Sequence, residues 1–229
     1  MKNRLFLITG LVLLLIFIVI FTNRRSTNPL LVENPSSWDL SFSADSEMQS
    51  QITSEIEQLK KLLDAESDYN ARYDIFVGLS QKYIRLGDGE AAYLALTEAQ
   101  KELPKRALAY TNTGVLLRDL YATSSARAFL KKAVTVEPSY IQGWFSLLDF
   151  YTYNDQETSF LDKDQAYQEA LTATGEDERI LYNYALWLEQ EKKYNEALLV
   201  WETIAKRHPE GLPLDSQKII EKLKTHVTP

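Results

Sequence analysis

Side chains of the same kind return every 34 residues through much of this chain. Phe76, Tyr110 and Trp144 keep that interval, as do Tyr83, Leu117 and Tyr151. So do Ala92 and Ala126, Ala99 and Ala133, and Pro104 and Pro138. Within one period the spacing is helical. Tyr110, Thr113, Gly114 and Leu117 step by threes and fours along one face, and Ala126, Leu130 and Ala133 do so on a second helix. Pro138 stops that second helix, because proline has no N–H to continue the hydrogen-bonded ladder. A two-helix unit of this size cannot bury its apolar face alone; it must stack on its neighbours. The spacing therefore predicts an all-α solenoid.

The unit Ala107 to Tyr140 resembles the tetratricopeptide repeat, whose pattern is an aromatic, Leu-Gly and Tyr on helix A, then Ala, Phe and Pro around helix B. Four repeats are expected between residues 73 and 211. The first runs from Tyr73 to Arg106, with Gly87-Asp88-Gly89 as its turn and Asp88 as the cap of helix B. The third begins at Ile141. Its interval from Ala133 to Ala170 is 37, which places three extra residues around Thr152 to Leu161. Asp162 with Gln165 reads as a capping box for its helix B, and Gly175 as its left-handed end. The fourth spans Glu178 to Gly211. Met48, Ile52, Ile56, Leu59 and Leu63 form a helical stripe within residues 45–72, an N-terminal cap. Asp215 opens a C-terminal capping helix within residues 212–229, with Ile219, Ile220 and Leu223 on one face.

Ahead of the repeats, Leu5 to Phe21 is 17 residues, of which 15 are Leu, Ile, Val or Phe. At roughly 0.3–0.6 kcal/mol favourable per such residue, insertion into a bilayer is favoured. A helix of this length reaches about 25 Å, and snorkelling Arg4 and Arg24 complete the span. No small-residue cleavage site follows, so the expectation is a retained anchor rather than a cleaved signal. A short N-terminal tail favours a cytoplasmic N-terminus and an extracytoplasmic body. Residues 22–44 read as a linker broken by Pro29 and Pro35. Its apolar islands Leu30-Leu31-Val32 and Trp38-Asp39-Leu40 either dock on the domain or the membrane, or belong to a disordered tether.

Charge narrows the partners. The first 25 residues carry four bases and no acid, which leaves 21 bases against 32 acids in the remainder. An acidic body argues against nucleic acid. No cysteine is present, which excludes disulfides, thiolate metal sites and catalytic thiols. The two histidines, His208 and His226, have no partner residues at metal-ligand or catalytic spacing, and no glycine-rich phosphate loop occurs. Neither an enzyme nor a cofactor is expected.

The resemblance implies a concave groove lined by helix A positions that lie between the packing residues. Here these are Val77, Gln81 and Ile84; Thr111, Val115 and Arg118; Phe145, Asp149 and Thr152; Tyr182, Leu186 and Glu189. Such a lining suits a protein or peptide partner. It does not suit acidic C-terminal peptides, since Val77, Gln142 and Ser146 stand where that sub-class has Lys or Arg. In layout the chain is similar to small bacterial envelope proteins with an anchor and a repeat body, which assist secretion, folding or assembly of other envelope proteins. The expected role is a membrane-anchored interaction scaffold. The alternative is a self-associating structural protein, a homo-oligomer whose groove its own kind fills.

Overall fold

The computed structural model describes residues 29–41, 45–154, 157–208, 210–211 and 214–227. The chain divides into two units, Met1–Val32 and Glu33–Pro229. Of the first, only a turn at residues 29–32 is described. The apolar span Leu5 to Phe21 lies outside the described residues, as do Pro209 and Leu212-Pro213. Among the described residues no helix is long and apolar enough to cross a membrane.

Ten helices make up the described part of the second unit. Helix α1 (Ser46–Ala65) is capped by Asp45, which accepts the Met48 N–H. Its buried stripe starts at Ile52, while Met48 is 40% exposed. Ile52 and Ile56 pack with Leu79 and Ala95, flanked by Leu59, Phe76 and Tyr83. The first hairpin follows as α2 (Tyr69–Leu86) and α3 (Gly89–Glu102). Its first helix starts a turn earlier than the spacing from Tyr73 implies, because Asp68 accepts the amides of Asn70 and Ala71. The second hairpin is α4 (Ala107–Asp119) with α5 (Thr123–Val136). The third is α6 (Ile141–Tyr153) with α7 (Phe160–Thr174), and the fourth α8 (Glu178–Gln190) with α9 (Tyr194–Arg207). Helix α10 (Leu214–His226) packs on α9.

Three hairpins turn by one device. Gly87, Tyr121 and Lys192 sit at φ of 84°, 59° and 60°. In each the following amide reaches back five residues: Asp88 to the Tyr83 carbonyl, Ala122 to Leu117, Lys193 to Leu188. This closes carbonyls that the helix end leaves open. Asp88 caps α3 through the Ala91 N–H. The third hairpin differs. Its cap is Ser159, which accepts the Asp162 N–H while donating its hydroxyl to the Asp162 carboxylate. The cap thus lies three residues before the expected Asp162, which instead serves as the partner of Ser159 in the first turn; Gln165 donates to Glu169. With its longer turn, α6 and α7 meet at fewer points than the paired helices of the other hairpins.

Close approach and ring size set the packing. A Cβ at Gly114 would lie 2.6 Å from Leu130 Cγ, so α4 and α5 touch there with no room for alanine. Tyr110 and Trp144 repeat one bond. Each donates to the carbonyl six residues back, at Pro104 (3.3 Å) and Pro138 (2.7 Å). That fixes the start of each hairpin against the turn before it.

The segment read as a linker is in part docked. Residues 33–40 run along the N-terminal ends of α3 and α5, where Trp38 meets Tyr93 at 5.1 Å between ring centroids.

Candidate functional site

A cleft opens beside the third hairpin. Helices α4 and α6 pack side by side, and between α6 and α8 a cleft of about 320 Å³ takes the place of such packing. Helix α4 contributes Arg118. Helix α6 contributes Phe145, Ser146, Leu148, Asp149, Thr152 and Tyr153. Tyr167 of α7 closes one side, and Asn183, Leu186, Trp187 and Gln190 of α8 close the other. The α8 residues step by three, one and three, a single helical stripe.

Five of the expected groove residues meet here: Arg118, Phe145, Asp149, Thr152 and Leu186. Val77 and Thr111 do not, being 6% and 4% exposed. Val77 lies one turn after Tyr73, whose hydroxyl accepts the Ala109 N–H and ties α2 to α4 there. Thr111 faces Gly143 of α6 and bonds back to the Ala107 carbonyl. Gln81 is exposed and Ile84 and Val115 half-buried, all three away from the cleft. Tyr182 sets its ring edge-on to Trp201 at 5.1 Å, and Glu189 accepts the Trp201 indole N–H at 2.8 Å. Both therefore lean toward α9, about a third of a turn from the cleft stripe.

The spacing argument missed Tyr153, Tyr167, Trp187 and Gln190. Tyr167 fills a packing position and lines the cleft at once. The 183–190 stripe carried a signal, since it keeps helical steps of its own beside the packing stripe.

The cleft is nearly balanced in charge. Arg118 pairs with Asp119 at 2.9 Å and with Asp149 at 3.5 Å. Two carboxylates on one guanidinium leave no surplus cation for an acidic ligand. Arg179 stands over the Phe145 ring at 5.8 Å. The floor is aromatic: Trp187 stacks on Phe160 at 4.8 Å and on Tyr167 at 5.2 Å. Burial pushes the Tyr167 hydroxyl pKa upward, so it stays a neutral donor. The Trp187 indole nitrogen is buried and has no hydrogen-bond partner. Aromatic and amide groups with few charges favour contact with an uncharged stretch of polypeptide over ionic chemistry. Among the described residues no group of three His, Asp or Glu is placed to hold a metal ion.

No protein-family model matches the sequence, and neither does any curated protein. Solved structures do. A crystal structure of MamA is 16% identical, with a TM-score of 0.51 over 72% of this chain and 92% of that one. A tetratricopeptide repeat protein from Parabacteroides merdae ATCC 43184 is 15% identical, with a TM-score of 0.52 over 79% of this chain and 69% of that one. At this identity the likeness shows the fold: an all-α solenoid of the tetratricopeptide type.

Proposed function

We propose that this chain is a membrane-tethered interaction scaffold that holds an uncharged segment of a partner protein in the cleft between α6 and α8. The observation that carries the reading is the cleft itself. It lies beside the turn where the repeat departs from its period, and buried rings of Tyr167 and Trp187, exposed amides of Asn183 and Gln190, and hydroxyls line it. Helices α6 and α8 meet at few points, and a bound segment supplies the contact they lack. The apolar run Leu5 to Phe21 supplies the tether in this reading, with the body on the extracytoplasmic side.

Photo-crosslinking tests it. A crosslinking residue at Ser146 or Asn183, in the chain expressed in its own membrane, is expected to trap a polypeptide. One at Leu199, 65% exposed and outside the cleft, is expected not to. Equal trapping at all three positions overturns the reading. A trapped species of twice the chain's own mass favours self-association instead.

A further inference from the structure

Eight residues ahead of the repeats are bonded to the hairpin turns by atoms that the helices themselves leave open. The Ser124 N–H, in the first turn of α5, donates to the Glu33 carboxylate at 2.9 Å. The buried Ser125 hydroxyl accepts the Glu33 amide at 2.8 Å and donates to the Glu33 carbonyl at 2.7 Å. Five residues on, the Trp38 carbonyl accepts the Gly89 N–H at 2.9 Å, and the Leu40 N–H donates to the Gly87 carbonyl at 3.0 Å. The Trp38 ring lies against Tyr93, whose own ring stands edge-on to Phe129. First-turn amides have no partner within their helix, and the bonds from Ser124 and Gly89 supply one each.

Gly89 carries the inference further. It is the first residue of α3, and its φ is not positive. The helix gains nothing from glycine there, and alanine would be the better helix former. What requires glycine is the strap: a Cβ at Gly89 would lie 2.5 Å from the Trp38 carbonyl oxygen. The repeat body is thus shaped to receive residues 33–40.

The fit is also a loose one. Of these eight residues only Pro35 is buried, with Trp38 and Leu40 half-buried and the others exposed. Tyr93, whose ring Trp38 meets, is 4% exposed.

We propose that residues 33–40 are a releasable strap, and that the seam between the N-terminal ends of α3 and α5 is a docking site for an extended peptide with a carboxylate five residues before an aromatic ring. Its occupant is the chain's own strap. Released, the strap bares Tyr93 and the open amides to any segment of the same chemistry.

Hydrogen exchange on the full chain in detergent tests the release. The amides of Glu33, Leu40, Gly89 and Ser124 are expected to exchange together, at least tenfold faster than the mid-helix amides of α3 and α5. Exchange of all of them only at the global unfolding rate overturns the proposal, and this readout needs no variant. Competition tests the site. A labelled peptide of residues 32–41 is expected to bind Trp38→Ala at least tenfold more tightly than the unaltered chain. Adding Gly89→Ala to that variant is expected to abolish binding. No binding to Trp38→Ala overturns the docking site. Protection of the Gly89 amide that rises with protein concentration overturns the chain's own strap as occupant, in favour of that of a second copy.

Discussion

The indole N–H of Trp201 donates to the Glu189 carboxylate at 2.8 Å and ties the two helices of the last hairpin together. Trp201 is fully buried. Its removal opens a cavity and strands a carboxylate that has lost its donor. Trp201→Ala is expected to cost about 3–5 kcal/mol, read from chemical denaturation. A loss under about 1 kcal/mol would show that the hairpin collapses to fill the space.

Gly114 has its nearest neighbour in the branch carbon of Leu130, which cannot swing aside as a side-chain tip does. Gly114→Ala is therefore expected to destabilise by about 1–3 kcal/mol, despite alanine's better helix propensity. A melting temperature equal to or above that of the unaltered chain would refute the close approach of α4 and α5.

Tyr121 holds a left-handed conformation at φ 59° with 87% of its surface exposed. Gly87 occupies the equivalent place one period earlier without the penalty a Cβ brings. Tyr121→Gly removes a local strain of about 1–2 kcal/mol, partly offset by the greater freedom of glycine in the unfolded chain. A net gain of about 0.5–1 kcal/mol is expected in thermal melts. Destabilisation would mean that the Tyr121 side chain makes a contact worth more than the strain.

These turns show how far the sequence was legible. The 34-residue interval located the hairpins, and the longer interval from Ala133 to Ala170 located the odd one, because helix packing repeats what the residues repeat. The caps were harder. Ser159 and Asp162 are both good cap residues three apart, and only the backbone decides which is outside the helix. The groove was half legible for a similar reason. Thr111 and Phe145 are equivalent by period, but Thr111 faces Gly143 across a tight pair of helices and Phe145 faces the cleft between α6 and α8. Period says which stripe a residue lies on, not how far the next helix has moved away. The strap escaped the periodic argument altogether, since Glu33 and Trp38 belong to no repeat.

His208 sits at the end of α9 with Nε2 at 2.7 Å from Glu178 and Nδ1 at 3.5 Å from Glu210. The hydrogen bond to Glu178 is the main cause of its raised pKa, with Glu210 adding to it. A folded pKa above the unfolded value means that protonation favours the fold. The contribution is complete below the ordinary histidine value of about 6.5 and is lost as pH rises through the folded pKa. Proton NMR titration is expected to show the His208 ring titrating above the ordinary value. Glu178→Gln is expected to lower its midpoint and flatten the decline of melting temperature across that window. An unchanged midpoint would place the Glu178 contact outside the solution ensemble.

Phe145 and Tyr182 separate the cleft from the packing beside it. Both are aromatic helix A residues off the main packing stripe, and by period both were expected to face the groove. Phe145 lines the cleft, with Arg179 over its ring. Tyr182 is 41% exposed, yet its ring rests edge-on against Trp201. Phe145→Ser removes apolar lining at a half-buried site and a cation–π contact of about 0.5–1 kcal/mol. If the cleft holds the partner segment, crosslinking from Asn183 falls at least tenfold in that variant, about 1.4 kcal/mol of binding, while helicity is unchanged. Tyr182→Ser loses an aromatic pair worth about 0.5–1.5 kcal/mol, which shows as lower stability. Its crosslinking yield stays within about twofold. The reverse pattern, with capture lost at Tyr182 and kept at Phe145, would move the partner from the α6–α8 cleft to the α8–α9 face.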